Sequence, residues 1–170
     1  YDVHFLDFKS QGQNLKMAYM DVQPTKPNGK TVVLLHGKNF NGAYWKTTIQ
    51  ALTKEGYRVV VPDQVGFGKS SKPTAYQFSF QQLAQNTKAV LDVLKLDKVV
   101  LLGHSMGGML ATRFALMYSG TVEKLILENP LGLEDWKLVA PYTSIAQNYQ
   151  TELKANYDSA QKYQNGFYYD

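Results

Sequence analysis

Three short stretches of the chain, Thr31-Val32-Val33-Leu34-Leu35, Arg58 to Val61 and Lys98 to Leu102, carry continuous apolar runs. A strand with one wet face alternates apolar and polar residues, whereas an unbroken run requires cover on both faces. At four or five residues each, they are too short for buried helices. Between them lie segments with apolar residues at helical spacing. Trp45, Thr48, Ile49 and Leu52 precede Gly56, which ends that helix. Phe80, Leu83, Thr87, Val90, Leu91 and Leu94 share one face of a second helix, opened by Ser79-Phe80-Gln81-Gln82 in the form of a capping box. Met106 to Tyr118 is apolar on nearly every side, as in a helix buried on more than one side. Val122 to Leu127 reads as a further strand.

The N-terminal strands differ. Phe5 to Phe8 and Met17 to Met20 form short strands around a turn carrying Ser10, Gly12 and Asn14, which predicts an antiparallel hairpin. A hairpin followed by repeated strand–helix units specifies a mostly parallel sheet with helices on both faces. Ligands bind such sheets beyond the carboxyl ends of the strands, where His36, Asp63, Ser105 and Glu128 all fall. After Asn129 the alternation stops. Tyr142, Ile145, Ala146, Tyr149, Leu153, Tyr157, Ala160, Tyr163 and Phe167 recur at steps of one, three or four in a tyrosine-rich helical segment. The expected division is a core over 1–130 and a helical segment over 131–170.

Composition narrows the functional classes. The chain has 170 residues, 44% hydrophobic and 19% charged, as expected of a soluble globular protein. No apolar run reaches membrane-spanning length. The net charge of +4 comes from scattered lysines, so nucleic acid is not the expected partner. With no cysteine, disulfides, thiolate metal sites and cysteine nucleophiles are excluded. The three histidines lack ligand-like spacing, and no metal is expected. Position 1 is Tyr rather than Met, so an upstream segment is expected, without specifying a compartment. Gly68-Lys69-Ser70 is not a phosphate loop, because position 63 is Asp where that motif needs Gly. Gly66-x-Gly68 lacks the third glycine of a dinucleotide fingerprint, since position 71 is Ser.

Leu102-Gly103-His104-Ser105-Met106-Gly107-Gly108 contains G-x-S-x-G. The pattern arises by chance in about one chain in twenty of this length, but here it follows a buried strand and opens an apolar helix. A turn this tight strains the serine backbone, and Gly103 and Gly107 remove side chains that would collide. The Met106 amide, at a helix N-terminus, points toward developing negative charge.

Taken in order, the hairpin, His36-Gly37, Asp63, Gly66-Phe67-Gly68-Lys69-Ser70 and the Ser105 segment resemble the α/β-hydrolase superfamily, in its serine-nucleophile, lid-bearing, esterase- or aminopeptidase-like branch. The likeness runs from the hairpin to about Asp135. It implies the α/β-hydrolase fold, with its last strands missing from this chain. It implies Ser105 as nucleophile, and Met106 with Lys38 or, second, Asn39 as backbone oxyanion donors. It gives His36, Gly37, Gly103, His104 and Gly107 structural roles near the site. It implies a small-molecule acyl substrate and no cofactor. Epoxide and haloalkane hydrolases are less favoured, because those relatives carry aspartate at the Ser105 position. The stretch Leu127 to Trp136 resembles the lead into a lid; the tyrosines beyond it either shape a pocket or pack helices together, and periodicity does not separate the two.

A serine hydroxyl needs a base in hydrogen-bond reach. Only His4, His36 and His104 exist, and none follows Ser105, although these hydrolases run Ser, acid, His. The expected base therefore lies in a missing C-terminal segment or a second chain. Two further strand–helix units at roughly 30 residues each, plus the rest of a lid, make about 100 residues. Glu128 is the acid candidate, though a simple surface or loop carboxylate is the stronger reading of it; Glu134, Asp135 and Asp158 are weaker. Three readings follow: one piece of a serine hydrolase, a non-catalytic small-molecule binding protein, or a truncated product without stable function. The complete elbow favours the first.

Overall fold

The computed structural model describes residues 1–135, 138 and 140–168. Trp136, named above in the lead to a lid, lies outside the described residues, as do Tyr169 and Asp170. The chain divides into two compact units, Tyr1–Gly132 and Leu133–Asp170.

The first unit is a six-stranded sheet. In chain order its elements are β1 (Val3–Ser10), β2 (Gln13–Val22), β3 (Thr31–Leu35), a 3-10 turn (Gly42–Trp45), α1 (Lys46–Lys54), β4 (Arg58–Pro62), α2 (Phe80–Val93), β5 (Val99–His104), α3 (Met106–Met117) and β6 (Val122–Glu128). The strands lie in the order β1-β2-β4-β3-β5-β6. β1–β2 and β2–β4 pair antiparallel, while β4, β3, β5 and β6 run parallel.

Each unbroken apolar run feeds two cores, because successive strand side chains point to opposite faces. Val33, Leu35, Val60, Val99 and Leu101 pack with α2 and α3, through Leu83, Val90, Leu91, Leu110, Ala111 and Phe114. Val32, Leu34, Val59, Val61 and Val100 pack against Trp45 and Ile49, from the turn and α1. Helices thus cover both faces, as the runs required. On β6, Leu125 and Ile126 remain partly exposed at the end of the strand order.

Local details depart from the sequence reading in several places. The hairpin turn is the two residues Gln11-Gly12, both at positive φ (50° and 73°). Ser10 and Asn14 sit in the ladder instead, opposite Gln13 and Lys9. A two-residue turn with positive φ matches the twist of the strands it joins. Trp45 belongs to the 3-10 turn rather than to the helix after it. The capping box at α2 is half formed. The Ser79 side chain accepts from the Gln82 amide, but the Gln82 side chain engages Asn86 and Gln11. A complete box occurs where none was read, with Ser144 and Gln147 bonding reciprocally at the start of α4 (Ile145–Leu153).

In the second unit, the tyrosine-rich helical segment forms two helices, α4 and α5 (Tyr157–Tyr168). Tyr142, Tyr149, Tyr157 and Tyr163 are all exposed, so the helices do not bury them against one another.

The carboxyl edge of β3 and β4 is held by two buried or half-buried polar groups. His36 is fully buried. Its Nε2 accepts from the Gln64 amide at 3.0 Å, so its Nδ1–H donates to the Gly37 carbonyl at 2.9 Å. Phe67 packs edge-on to the ring. Asp63 accepts from the Gly42 amide at 2.7 Å and from the Lys69 amide at 2.8 Å. Ser70 donates to the Asp63 carbonyl and accepts from the Ala18 amide. The Gly66–Ser70 segment is thus a structural clasp joining the hairpin to the sheet.

Burial holds the His36 imidazole below the ordinary histidine value, against smaller opposing contributions from the Gly37 carbonyl and Asp63. The folded state therefore keeps His36 neutral in a pH range where the unfolded chain takes up a proton. Stability from this source is complete above about pH 6.5 and is lost as pH falls toward the lower folded value. Denaturant titrations should show His36→Gln with a flatter stability–pH profile than wild type between about pH 7 and 5. Parallel profiles would show that His36 does not titrate on unfolding.

Candidate functional site

The site forms where β5 turns into α3. Ser105, between the two elements, has φ 55° and ψ −118°, far from the helical and extended regions. A non-glycine residue there is strained and persists only where its surroundings enforce it. Three backbone bonds do so. The Ser105 amide donates to the Glu128 carbonyl at 3.1 Å, and the Ser105 carbonyl accepts from the amides of Gly108 (2.9 Å) and Leu131 (3.1 Å).

The flanking glycines are needed for backbone-on-backbone contact. A Cβ on Gly103 would enter the Gly107 carbonyl and come within 2.8 Å of the Gly108 nitrogen. A Cβ on Gly107 would enter the Leu35 carbonyl and stand 2.7 Å from the His36 oxygen. The second collision is with the end of β3 rather than within the elbow. Gly108 is equally constrained, since its Cβ would lie 2.9 Å from the Pro130 Cα. The Asn129-Pro130 dipeptide, just past a strand, was the available signal for that contact.

The turn after β3 lies directly against the serine. A Cβ on Gly37 would stand 3.2 Å from the Ser105 Cβ and 3.3 Å from the His104 Nδ1. Lys38 and Asn39 form the tip of this turn, closed by a 3.4 Å bond from the Phe40 amide to the Gly37 carbonyl, with Asn39 at φ 67°. Met106 is the first residue of α3, so its amide is among those without a partner inside the helix. The fold therefore brings the Gly37 start of this turn against Ser105, next to the first amide of α3.

His104 faces away from acid–base work on Ser105. Its Nδ1 lies 3.0 Å from the Tyr44 hydroxyl, and its ring packs among Phe40, Tyr44 and Trp45. Burial lowers its pKa, opposed by the nearby charge of Glu128. The Tyr44 contact, tying the first helical turn to the elbow, had no distinguishing sequence signal. His36 has both ring nitrogens engaged. His4 stacks on Tyr19 in the outer hairpin, four strand spacings from β5, or about 19 Å. Among the described residues, no side chain hydrogen-bonds the Ser105 hydroxyl.

Glu128 ends β6 in register with His104, so its backbone braces the elbow while its exposed carboxylate stands at the same sheet edge. Glu134, Asp135 and Asp158 belong to the second unit. Among the described residues there is no group of three or more His, Asp or Glu side chains able to hold a metal ion, and no helix long and apolar enough to cross a membrane.

Comparison with known proteins agrees with this geometry. A probable hydrolytic enzyme from Pseudomonas aeruginosa superposes with a TM-score of 0.90 at 54% identity, over 97% of this chain and 53% of its own. A 2-hydroxy-6-oxo-2,4-heptadienoate hydrolase of Pseudomonas putida is 34% identical over 108 residues, covering 62% of this chain and 39% of that protein. A haloalkane dehalogenase of Mycobacterium marinum is 27% identical over 157 residues, covering 85% of this chain and 52% of that protein. The chain thus spans about half the length, or less, of these relatives. The second and third of these differ in what their names say they act on, a dienoate in one and a haloalkane in the other. Residues 30–167 match the model of the alpha/beta hydrolase fold family, and the chain belongs to that family.

Proposed function

We propose that this chain carries the nucleophile and oxyanion donors of a serine hydrolase acting on small-molecule carboxylic esters or related acyl bonds. The observation that carries the reading is the backbone of Ser105, held at φ 55° between β5 and α3 by glycines that admit no side chain. Strain of this kind, enforced from three sides, serves to project one hydroxyl beyond the sheet edge.

In the proposed reaction the Ser105 oxygen attacks the acyl carbon, and its proton passes to a histidine base and on to the leaving group. The amides of Met106 and Lys38, with Asn39 as the alternative to Lys38, receive the negative charge on the acyl oxygen. Each such donor is worth about 3 kcal/mol in the transition state. Water then releases the acid product and restores the serine. These steps use no cofactor or metal. The base comes from a C-terminal segment or a second chain, since the three histidines here are engaged elsewhere. Glu128 is the proposed acid, standing one strand from the elbow. Residues 131–170 are proposed as the start of a lid segment.

In the full-length protein a fluorophosphonate probe should label Ser105, and Ser105→Ala should abolish labelling and lower kcat on p-nitrophenyl butyrate by at least about 1000-fold. Unchanged turnover would remove the serine mechanism. Residues 1–170 alone should give no turnover of the same ester; activity with a pH profile set by a group near 7 would show that one of the three histidines is the base. Glu128→Gln should lower kcat by about 10,000-fold, as when a triad acid loses its charge. A normal kcat in that variant assigns the acid to another carboxylate.

A further inference from the structure

A cavity of about 820 Å³ lies in the first unit, away from the elbow, between β2, the turn after β3, α1 and the loop after β4. Ser105 is not among its lining residues. Its position at the end of β4 is two strand spacings from β5, about 10 Å. Pockets that hold small ligands span roughly 300–1,000 Å³ and combine an apolar body with a few polar groups.

The lining has that composition. Val61 is buried and Met20 half-buried, giving an apolar floor, with Tyr1 and Tyr19 beside it. Lys46 and Lys69 are exposed at the rim. Neither lysine makes an ion pair among the described residues. Lys46 occupies the first position of α1, in a first turn with no acidic residue, where the helix dipole disfavours a cation. Helix stability therefore does not account for the charge there.

One carboxylate, Asp63, also lines the cavity. Its two oxygens accept from the Gly42 and Lys69 amides, so it is engaged within the protein, and its negative charge is outnumbered at the rim by the two lysines. What remains for a ligand is an apolar floor, two aromatic rings and two unpaired cations. We propose that this cavity is a binding site for an amphipathic carboxylate, a monoanion with a short aliphatic or aromatic body resting on Val61 and Met20 and its charge at Lys46 and Lys69. The site is independent of acyl transfer at Ser105. It would hold an acid of the same chemical class that ester hydrolysis releases.

Isothermal titration of octanoate into the full-length protein tests this, with octanol as the uncharged comparator. Octanoate should bind more tightly than octanol, and its affinity should weaken as salt rises. The Lys46→Gln/Lys69→Gln double variant should lose about tenfold in octanoate affinity, while the Lys46→Arg/Lys69→Arg variant keeps it. Gln50→Trp, which fills the cavity from an exposed position on α1, should remove binding. Ser105→Ala should bind octanoate as wild type does, so failure of the hydrolase reading would leave this result standing. Equal affinity for octanoate and octanol overturns the proposal. So does octanoate binding indifferent to both the lysine changes and Gln50→Trp.

Discussion

The structure depends on one close approach, the backbone of Gly107 against the carbonyls that end β3. Two chain segments meet there with no side chain between them. That contact sets how near α3 begins to the sheet, and so how sharply β5 must turn to enter it. Ser105 absorbs the turn by adopting a backbone conformation that costs of order 1–3 kcal/mol. The cost is offset by what the same approach brings together. The first amide of α3, the serine and the Gly37–Phe40 turn all lie within one short span only because β3 and α3 touch.

Holding two carbonyls and a strained serine in place requires support that does not yield. His36 and Asp63 supply it from opposite sides of the β3–β4 edge. The His36 imidazole bridges the Gln64 amide and the Gly37 carbonyl, tying the end of β4 to the turn that lies against Ser105. Asp63 gathers the Gly42 and Lys69 amides, and Ser70 carries the connection to β2. Each buried polar group is satisfied by backbone partners from a different loop. Such groups fix the relative position of loops that apolar packing alone would leave adjustable.

The features legible in the sequence were those set by short-range rules. Unbroken runs such as Thr31–Leu35 implied two covered faces, and the alternation of Val32 and Leu34 with Val33 and Leu35 between cores shows why. The elbow was legible because its glycines are demanded by local geometry. The boundaries that failed were decided at longer range. Gln82 had the right spacing to complete a capping box, but Gln11, brought close by the hairpin, and Asn86 competed for its side chain. The tyrosine periodicity continued through 154–156 although the helix does not, because a break alters phase without altering composition. In the sequence, Gly66–Ser70 showed only as a stretch that fails the phosphate-loop pattern and as one element of the family resemblance, not as a clasp around Asp63. Its positive role needed the fold, since its partners at Gly42 and Ala18 are distant in sequence.

The placement of charge shows how the two halves of the sheet edge differ. At the elbow end, burial among aromatic rings lowers the His104 pKa against the opposing charge of Glu128, and the oxyanion donors proposed there are backbone amides. Amide dipoles in a fixed position stabilise charge that appears during a reaction without paying to reorganise, and bind little before it appears. At the β4 end the positive groups are exposed lysine side chains over an apolar floor, suited to a charge the ligand already has. One edge of a single sheet thus offers preorganised dipoles beside Ser105 and adaptable cations two strands away. The Gly37–Trp45 segment runs from one to the other, with Gly37 against the serine and Gly42 bonded to Asp63 beside the cavity.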